Sequence, residues 1–252
     1  MAGHSKWKQI KRAKGITDVK RGALFTKLTK EIMQMAKEGG GDPVANFKLR
    51  LAIDKARSSN MPMDNIDRAI KKGTGVGGPS IDYIEVMYEG YAHGGAAIIC
   101  QALTDNKTRT VGEVRNVFSK AGCKMGETGS VSFMFDSKGV ISIEATKDKA
   151  DELALTAIDL GADDVKVEDE LVEVYSHPND LEKVKKALEE RGFKVQNAEV
   201  EMVPKAQVAL NADQAEKTLK LMDKLEDLDD VTKVYTNADF PAEVLEKVNS
   251  AA

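Results

Sequence analysis

The sequence predicts an α+β protein: a three-helix N-terminal head followed by two mixed domains. Three observations lead there. Residues 18–73 carry apolar side chains at helical spacing, interrupted by Gly39-Gly40-Gly41, Asp42-Pro43 and Pro62. Residues 84–135 alternate like strands around a single capped helix. Residues 139–203 then read strand, helix, strand, strand, helix, strand, the β-α-β-β-α-β order of ferredoxin-like folds.

The elements follow in order. Residues 3–16 are too basic and too poor in apolar periodicity to bury anything alone, and are expected as an arm that orders on its partner. Trp7 and Ile10 can tack this arm to the head, or Trp7 can stack on a base. The first helix begins between Thr17 and Ala23. Phe25, Leu28, Ile32 and Met35 form its apolar stripe, with Lys20, Lys27, Lys30 and Lys37 expected on the wet face. Asp42-Pro43 should open the second helix, with Phe47, Leu51 and Ala52 buried and Arg50 and Lys55 wet. Pro62 should open the third, with Met63, Ile66 and Ile70 inward and Gly73 at its end. GTGVGG at 73–78 matches a dinucleotide-loop spacing by letter. It follows a helix and precedes a strand, so it reads as a linker.

In the body, Ile84, Val86 and Tyr88 alternate with Glu85, Met87 and Glu89 as a strand. Gly90 to Gly95 turns the chain into the buried strand 96–103. Thr104-Asp105-Asn106 caps a helix bearing Val111, Val114 and Phe118, and Val131, Phe133 and Phe135 are expected in a further strand. The ferredoxin-like unit follows. After Pro204 come a helix (Ala215, Leu219, Met222) and a strand (231–235), too little to bury a core alone. They should return to 81–136, leaving the ferredoxin-like unit inserted in the middle domain. The expected boundaries are a head and linker at 1–78, a middle domain at 79–137 plus 204–240, an inserted domain at 138–203 and a tail at 241–252.

Charge is the functional signal. The chain has 252 residues and a formal net charge of −4. Residues 1–80 hold 17 Lys/Arg against 7 Asp/Glu, whereas residues 81–252 hold 20 against 34. A basic head on an acidic body is the footprint of a polyanion-binding segment. The candidate nucleic-acid contacts are Lys6, Trp7, Lys8, Lys11, Arg12, Lys14, Lys20, Arg21, Lys27 and Lys30. Lys107, Arg109 and Arg115 add a weaker spot beside the start of a helix. Asp163-Asp164 and Asp229-Asp230 read as solvated turn residues.

His4, His93 and His177 are scattered without metal-ligand spacing, and Cys100 and Cys123 form neither a disulfide framework nor a zinc motif. Cys100 reads as a buried free thiol. No cofactor, metal, catalytic constellation, small-molecule substrate or membrane span is indicated, and a reducing cytoplasm is the expected compartment. A nucleic-acid-binding regulator is the first reading. An enzyme acting on nucleic acid and an interaction or ligand-sensing module are the others.

The stretches GHSKWKQIK, DVKRGALFTKL, YEGYAHGGAAIICQALTDNKTRTVGEVRNVFSKAG and GSVSFMFDSKG resemble the YebC/PmpR family, which includes the mitochondrial translational activator of cytochrome c oxidase. The similarity runs essentially end to end, with His93 standing where the family usually has Pro. It implies a helical head, two α+β domains, and no enzymatic activity or cofactor. It also implies DNA-binding transcriptional regulation, or alternatively a role on the ribosome and its RNA in translating difficult, proline-rich sequences. Mitochondrial members carry a presequence. A chain opening on GHSKW therefore points to the bacterial cytoplasm.

Overall fold

A computed structural model describes residues 18–76, 78, 81–168 and 171–250. Lys6, Trp7, Lys8, Lys11, Arg12 and Lys14 lie outside the described residues, as does the expected arm as a whole. The described residues form two compact units, one of those up to Phe135 together with those from Pro204 on, and one of those from Asp136 to Val203.

The first unit opens with three helices, α1 (Asp18–Gly39), α2 (Phe47–Ser58) and α3 (Met63–Gly73). Leu28, Ile32, Met33 and Ala36 of α1 pack with Leu49, Ala52, Ile53 and Ala56 of α2 and with Ile66 and Ala69 of α3. Gly40, at a φ of 87°, ends α1 in a backbone conformation that side chains rarely adopt. Here α2 departs from expectation. Its cap is Asn46, four residues after Asp42, because Asp42 spends its carboxylate on a turn by accepting from Val44 N at 2.9 Å. Asn46 Oδ1 caps α2 at Leu49 N (3.1 Å), while its Nδ2 donates to Met35 O (2.8 Å) and Gly40 O (2.9 Å). That phase buries Leu49, Ala52, Ile53 and Ala56, and leaves Phe47 and Leu51 only half-buried. Met63, at the mouth of α3, is exposed for the same kind of reason: Pro62 supplies the cap position and Ile66 is the first inward residue.

The same unit continues into a four-stranded antiparallel sheet. Its strands are β1 (Ile84–Tyr91), β2 (Ala97–Thr104), β3 (Lys124–Met125) and β9 (Val231–Thr236), in the order β3-β1-β2-β9. Helices α4 (Lys107–Lys120) and α7 (Ala212–Glu226) build one core with it. Val114 and Phe118 pack with Ala215, Leu219 and Met222 and with Ile98, Cys100 and Ala102. Gly90 faces this core, where an added Cβ would meet the Phe118 ring at 2.7 Å. Cys100 is fully buried, and burial pushes its thiol pKa up to about 12. Two short parallel strands, β8 (Val208–Ala209) and β10 (Ala238–Asp239), flank α7 and β9 in sequence. Residues 242–250, expected as a tail, form α8 (Ala242–Ser250), with Val244 and Leu245 inside the core. Their alternation with charged neighbours at helical spacing is the physical reason.

Val131, Phe133 and Phe135 do not share a strand. Residues 132–134 make a single 3-10 turn and the strand β4 (Phe135–Glu144) starts after it, so Val131 and Phe135 are buried while Phe133 is exposed.

The second unit is ferredoxin-like and inserted between Phe135 and Pro204. It runs from β4 through α5 (Lys147–Asp159), β5 (Asp164–Glu168), β6 (Leu171–Ser176) and α6 (Leu181–Glu190) to β7 (Val195–Pro204), with sheet order β5-β6-β4-β7. Ile141, Ile143, Val172 and Val174 pair across its two central strands. Asp163 and Asp164 are exposed, as expected of turn residues; Asp163 is 3.6 Å from Lys138, and Asp164 accepts from Val165 N at 2.9 Å.

Candidate nucleic-acid interface

The candidate cations divide by what they touch. Lys20 lies on the first turn of α1, and Arg21 beside it is exposed. Lys27 and Lys30, expected on a wet face, instead turn toward the acidic body. Lys27 Nζ donates to Glu226 O at the end of α7. Lys30 Nζ lies 2.7 Å from Asp230 Oδ1 and 3.1 Å from Asp229 O, and 5.9 Å over the Tyr83 ring. Lys37 pairs with Asp82. A helix of period 3.6 has two flanks as well as a front and a back. One flank of α1 meets the other two head helices and another meets the middle domain.

Asp230 is the centre of this contact. It is 2% exposed, between α7 and β9, and its carboxylate is ringed by donors. Arg109 Nη2 lies at 2.6 Å, Thr110 Oγ1 at 2.8 Å and Thr104 Oγ1 at 3.1 Å, all on Oδ2, with Lys30 on Oδ1. Burial would raise its pKa, but bonds from Arg109, Lys30 and Thr110 outweigh burial and hold the carboxyl well below the usual range. Arg109, which also holds Asp105 at 2.8 Å, is shifted upward, chiefly by its bond to Asp230. The reading of Asp229-Asp230 as solvated turn residues is therefore corrected at Asp230. Its position at a helix-to-strand turn is as expected, but the turn is capped by α4 and α1. Nothing in the spacing of Lys30, Thr104, Arg109, Thr110 and Asp230 announces that they meet.

Lys107 and Arg115 behave differently from Arg109. They are exposed on α4 together with Lys120, and Lys124 follows on β3. Among the described residues, none of these four has an ion pair. The stretch 107–124 holds five cations and one acid, Glu113, a signal readable in the sequence that extends the basic spot beyond Arg115.

A second buried carboxylate shapes the surface next to Lys124. Glu89 lies on the outward face of β1, as alternation predicts, yet is 2% exposed because the loop 126–132 folds over it. Gly129 N (2.8 Å), Val131 N (2.7 Å) and Ser132 N (2.8 Å) all donate to its carboxylate. Against the upward push of burial, these three bonds lower its pKa. Tyr91 Oη adds a bond to Ser130 O at 2.9 Å. The loop is thus held by its backbone; the turn that follows it displays Phe133, 64% exposed, and Tyr91 is 38% exposed. Neither aromatic was a sequence candidate.

Among the described residues, no group of three or more His, Cys, Asp or Glu side chains is placed to hold a metal ion, and no helix is long and apolar enough to cross a membrane.

Two family descriptions match consecutive stretches of the chain. The N-terminal domain of TACO1/YebC proteins matches residues 5–76, and the second and third domain matches residues 83–238. A Trichlorobacter lovleyi protein named "Probable transcriptional regulatory protein" is 54% identical over 248 residues, covering 98% of this chain and 100% of its own. A Dehalococcoides mccartyi protein with the same designation is 51% identical over 253 residues, covering 100% of both chains. The crystal structure of a conserved hypothetical protein from Aquifex aeolicus matches with a TM-score of 0.82 at 42% identity, over 90% of this chain and 94% of that one. With the head and the remainder matched by consecutive domains of one group of proteins, the chain belongs to the TACO1/YebC family.

Proposed function

We propose that this protein is a non-enzymatic regulator of gene expression that works by binding nucleic acid in the cytoplasm, in the sense of the transcriptional regulatory designation its relatives carry. The observation that supports it is the segregation of charge, 17 Lys/Arg against 7 Asp/Glu over residues 1–80 of an otherwise acidic chain. Lys6, Trp7, Lys8, Lys11, Arg12 and Lys14, with Lys20 and Arg21 at the start of α1, make the principal contact. Lys107 and Arg115 make a lesser one on the body. Lys27, Lys30 and Arg109 serve chiefly to seat the head on the middle domain. Affinity comes from phosphate neutralisation, so it falls steeply with salt.

The test is fluorescence anisotropy of labelled duplex DNA across a salt series. Replacing Lys6, Lys8, Lys11 and Arg12 together by Ala should weaken binding and flatten the log–log salt slope by roughly 0.9 for each phosphate left without its cation. Replacing Asp163 and Asp164 should change neither. An unchanged slope in the four-residue variant overturns the reading. Ribosomal RNA is the second target, favoured by the exposed pair Tyr91 and Phe133, because folded RNA offers unpaired bases to aromatic side chains. Competition between duplex DNA and ribosomes at matched salt separates the two.

A further inference from the structure

We infer that the outer edge of the middle-domain sheet is a stacking platform for unpaired nucleotides, built from Tyr91 and Phe133 with Lys124 as a phosphate contact. The inference rests on the nucleic-acid reading above and names the form of nucleic acid this surface takes, a single strand.

The geometry starts from β1. Gly90 faces the Phe118 ring and the helices, so Tyr91 faces the opposite side of the sheet. Tyr91 pairs directly with Lys124 on the edge strand β3, and directly opposed residues project to the same face. An aromatic ring and an exposed ammonium therefore stand side by side. The clamped loop brings the second ring. Tyr91 Oη holds Ser130 O at 2.9 Å, and Phe133 comes three residues later, at most about 11 Å of chain away. Glu89 fixes that loop through three backbone donors, so Phe133 is presented by a rigid support.

The occupant follows from the chemistry. Two aromatic residues at 38% and 64% exposure offer surface to planar apolar groups, and Lys124, without an ion pair among the described residues, calls for negative charge beside them. Apolar planes alternating with anionic groups describe successive bases and phosphates of a single strand. Duplex DNA keeps its base faces stacked inside and cannot use the rings.

The experiment uses the full chain and two fluorescein-labelled probes, a 12-nucleotide oligouridylate and a 12-base-pair DNA duplex. Phe133→Leu and Tyr91→Ala should each weaken oligouridylate binding roughly 5- to 100-fold, the range for losing one stacked base. Duplex binding should change less than about twofold. Tyr91→Phe, which keeps the ring and loses only the bond to Ser130, should retain single-strand affinity. Lys124→Ala should lower the single-strand salt slope by about 0.7. Phe133 is exposed, so Phe133→Leu preserves folding, which thermal unfolding checks. Equal losses on both probes, or no loss on the single strand, overturn the platform. A wild-type protein that binds duplex alone overturns it too while leaving the proposed function standing, whereas one that binds neither probe sinks both.

Discussion

Asp230 shows what one carboxylate does when it is buried among donors. Its charge is matched by Lys30 from the head and Arg109 from α4, and two threonine hydroxyls occupy the remaining space. Removing the carboxylate leaves the mostly buried Lys30 without its counter-charge and two threonine hydroxyls without their acceptor, while the half-exposed Arg109 keeps water and Asp105. Asp230→Asn should therefore destabilise the first unit by about 1–3 kcal/mol, read from urea unfolding. Lys30→Ala should cost less, since Arg109 remains. The acid response has a definite sign. The folded pKa of Asp230 is depressed, so its contribution to stability is present above the ordinary carboxylate range near pH 4 and is lost as pH falls below it. Glu89 adds a dependence of the same sign. Wild-type stability should drop between about pH 4 and 2, and the Asp230→Asn variant should show a shallower drop. Strand alternation alone puts Glu89 on the outward face of β1, and that face is where it lies. The loop that returns to bury it has no period to read.

The helix pairs of the head depend on close approaches rather than on volume. Gly73 of α3 lies against Met33 of α1, where an added Cβ would meet Met33 O at 2.3 Å. Gly73→Ala should push the two helices apart at a cost of about 1–3 kcal/mol, seen as a lower thermal midpoint. Asn46→Ala removes the cap of α2 and two bonds to the end of α1, and should cost about 1–2 kcal/mol. Which segments are helices was legible from the spacing of Leu28, Ile32, Ile66 and their neighbours. Where α2 begins was not. Asp42-Pro43 and Asn46 are both good start signals, and the choice is made by Asn46 reaching back to Met35 and Gly40, a tertiary effect. The same limit applies to the interface. Clustered cations were visible as letters, but not that Lys30 and Arg109 turn inward while Lys107 and Arg115 stay out.

Across the molecule, the insertion is the organising fact. The chain leaves the first unit after Phe135 and returns at Pro204, and Lys205 N donates to Met134 O at 2.9 Å beside the crossing. The two ends that the insert must join are therefore adjacent. Excising residues 136–203 and closing the gap with a short Gly-containing turn should leave the first unit folded, with its urea transition retained. The α+β order was readable because each unit closes its own run of strand and helix patterns. The covering of Glu89 and the convergence on Asp230 link residues tens to about two hundred positions apart and carry no local signature.

The position of Cys100 gives the fold a built-in clock. Its sulfur sits on an interior strand of the first sheet with its thiol pKa at about 12, so in the closed protein it offers almost no thiolate to an alkylating reagent. Cys123, half-buried near the edge, should be capped first. The slow second capping then counts how often the covering helices lift from the strand beneath, a frequency that a tightly held polyanion would reduce.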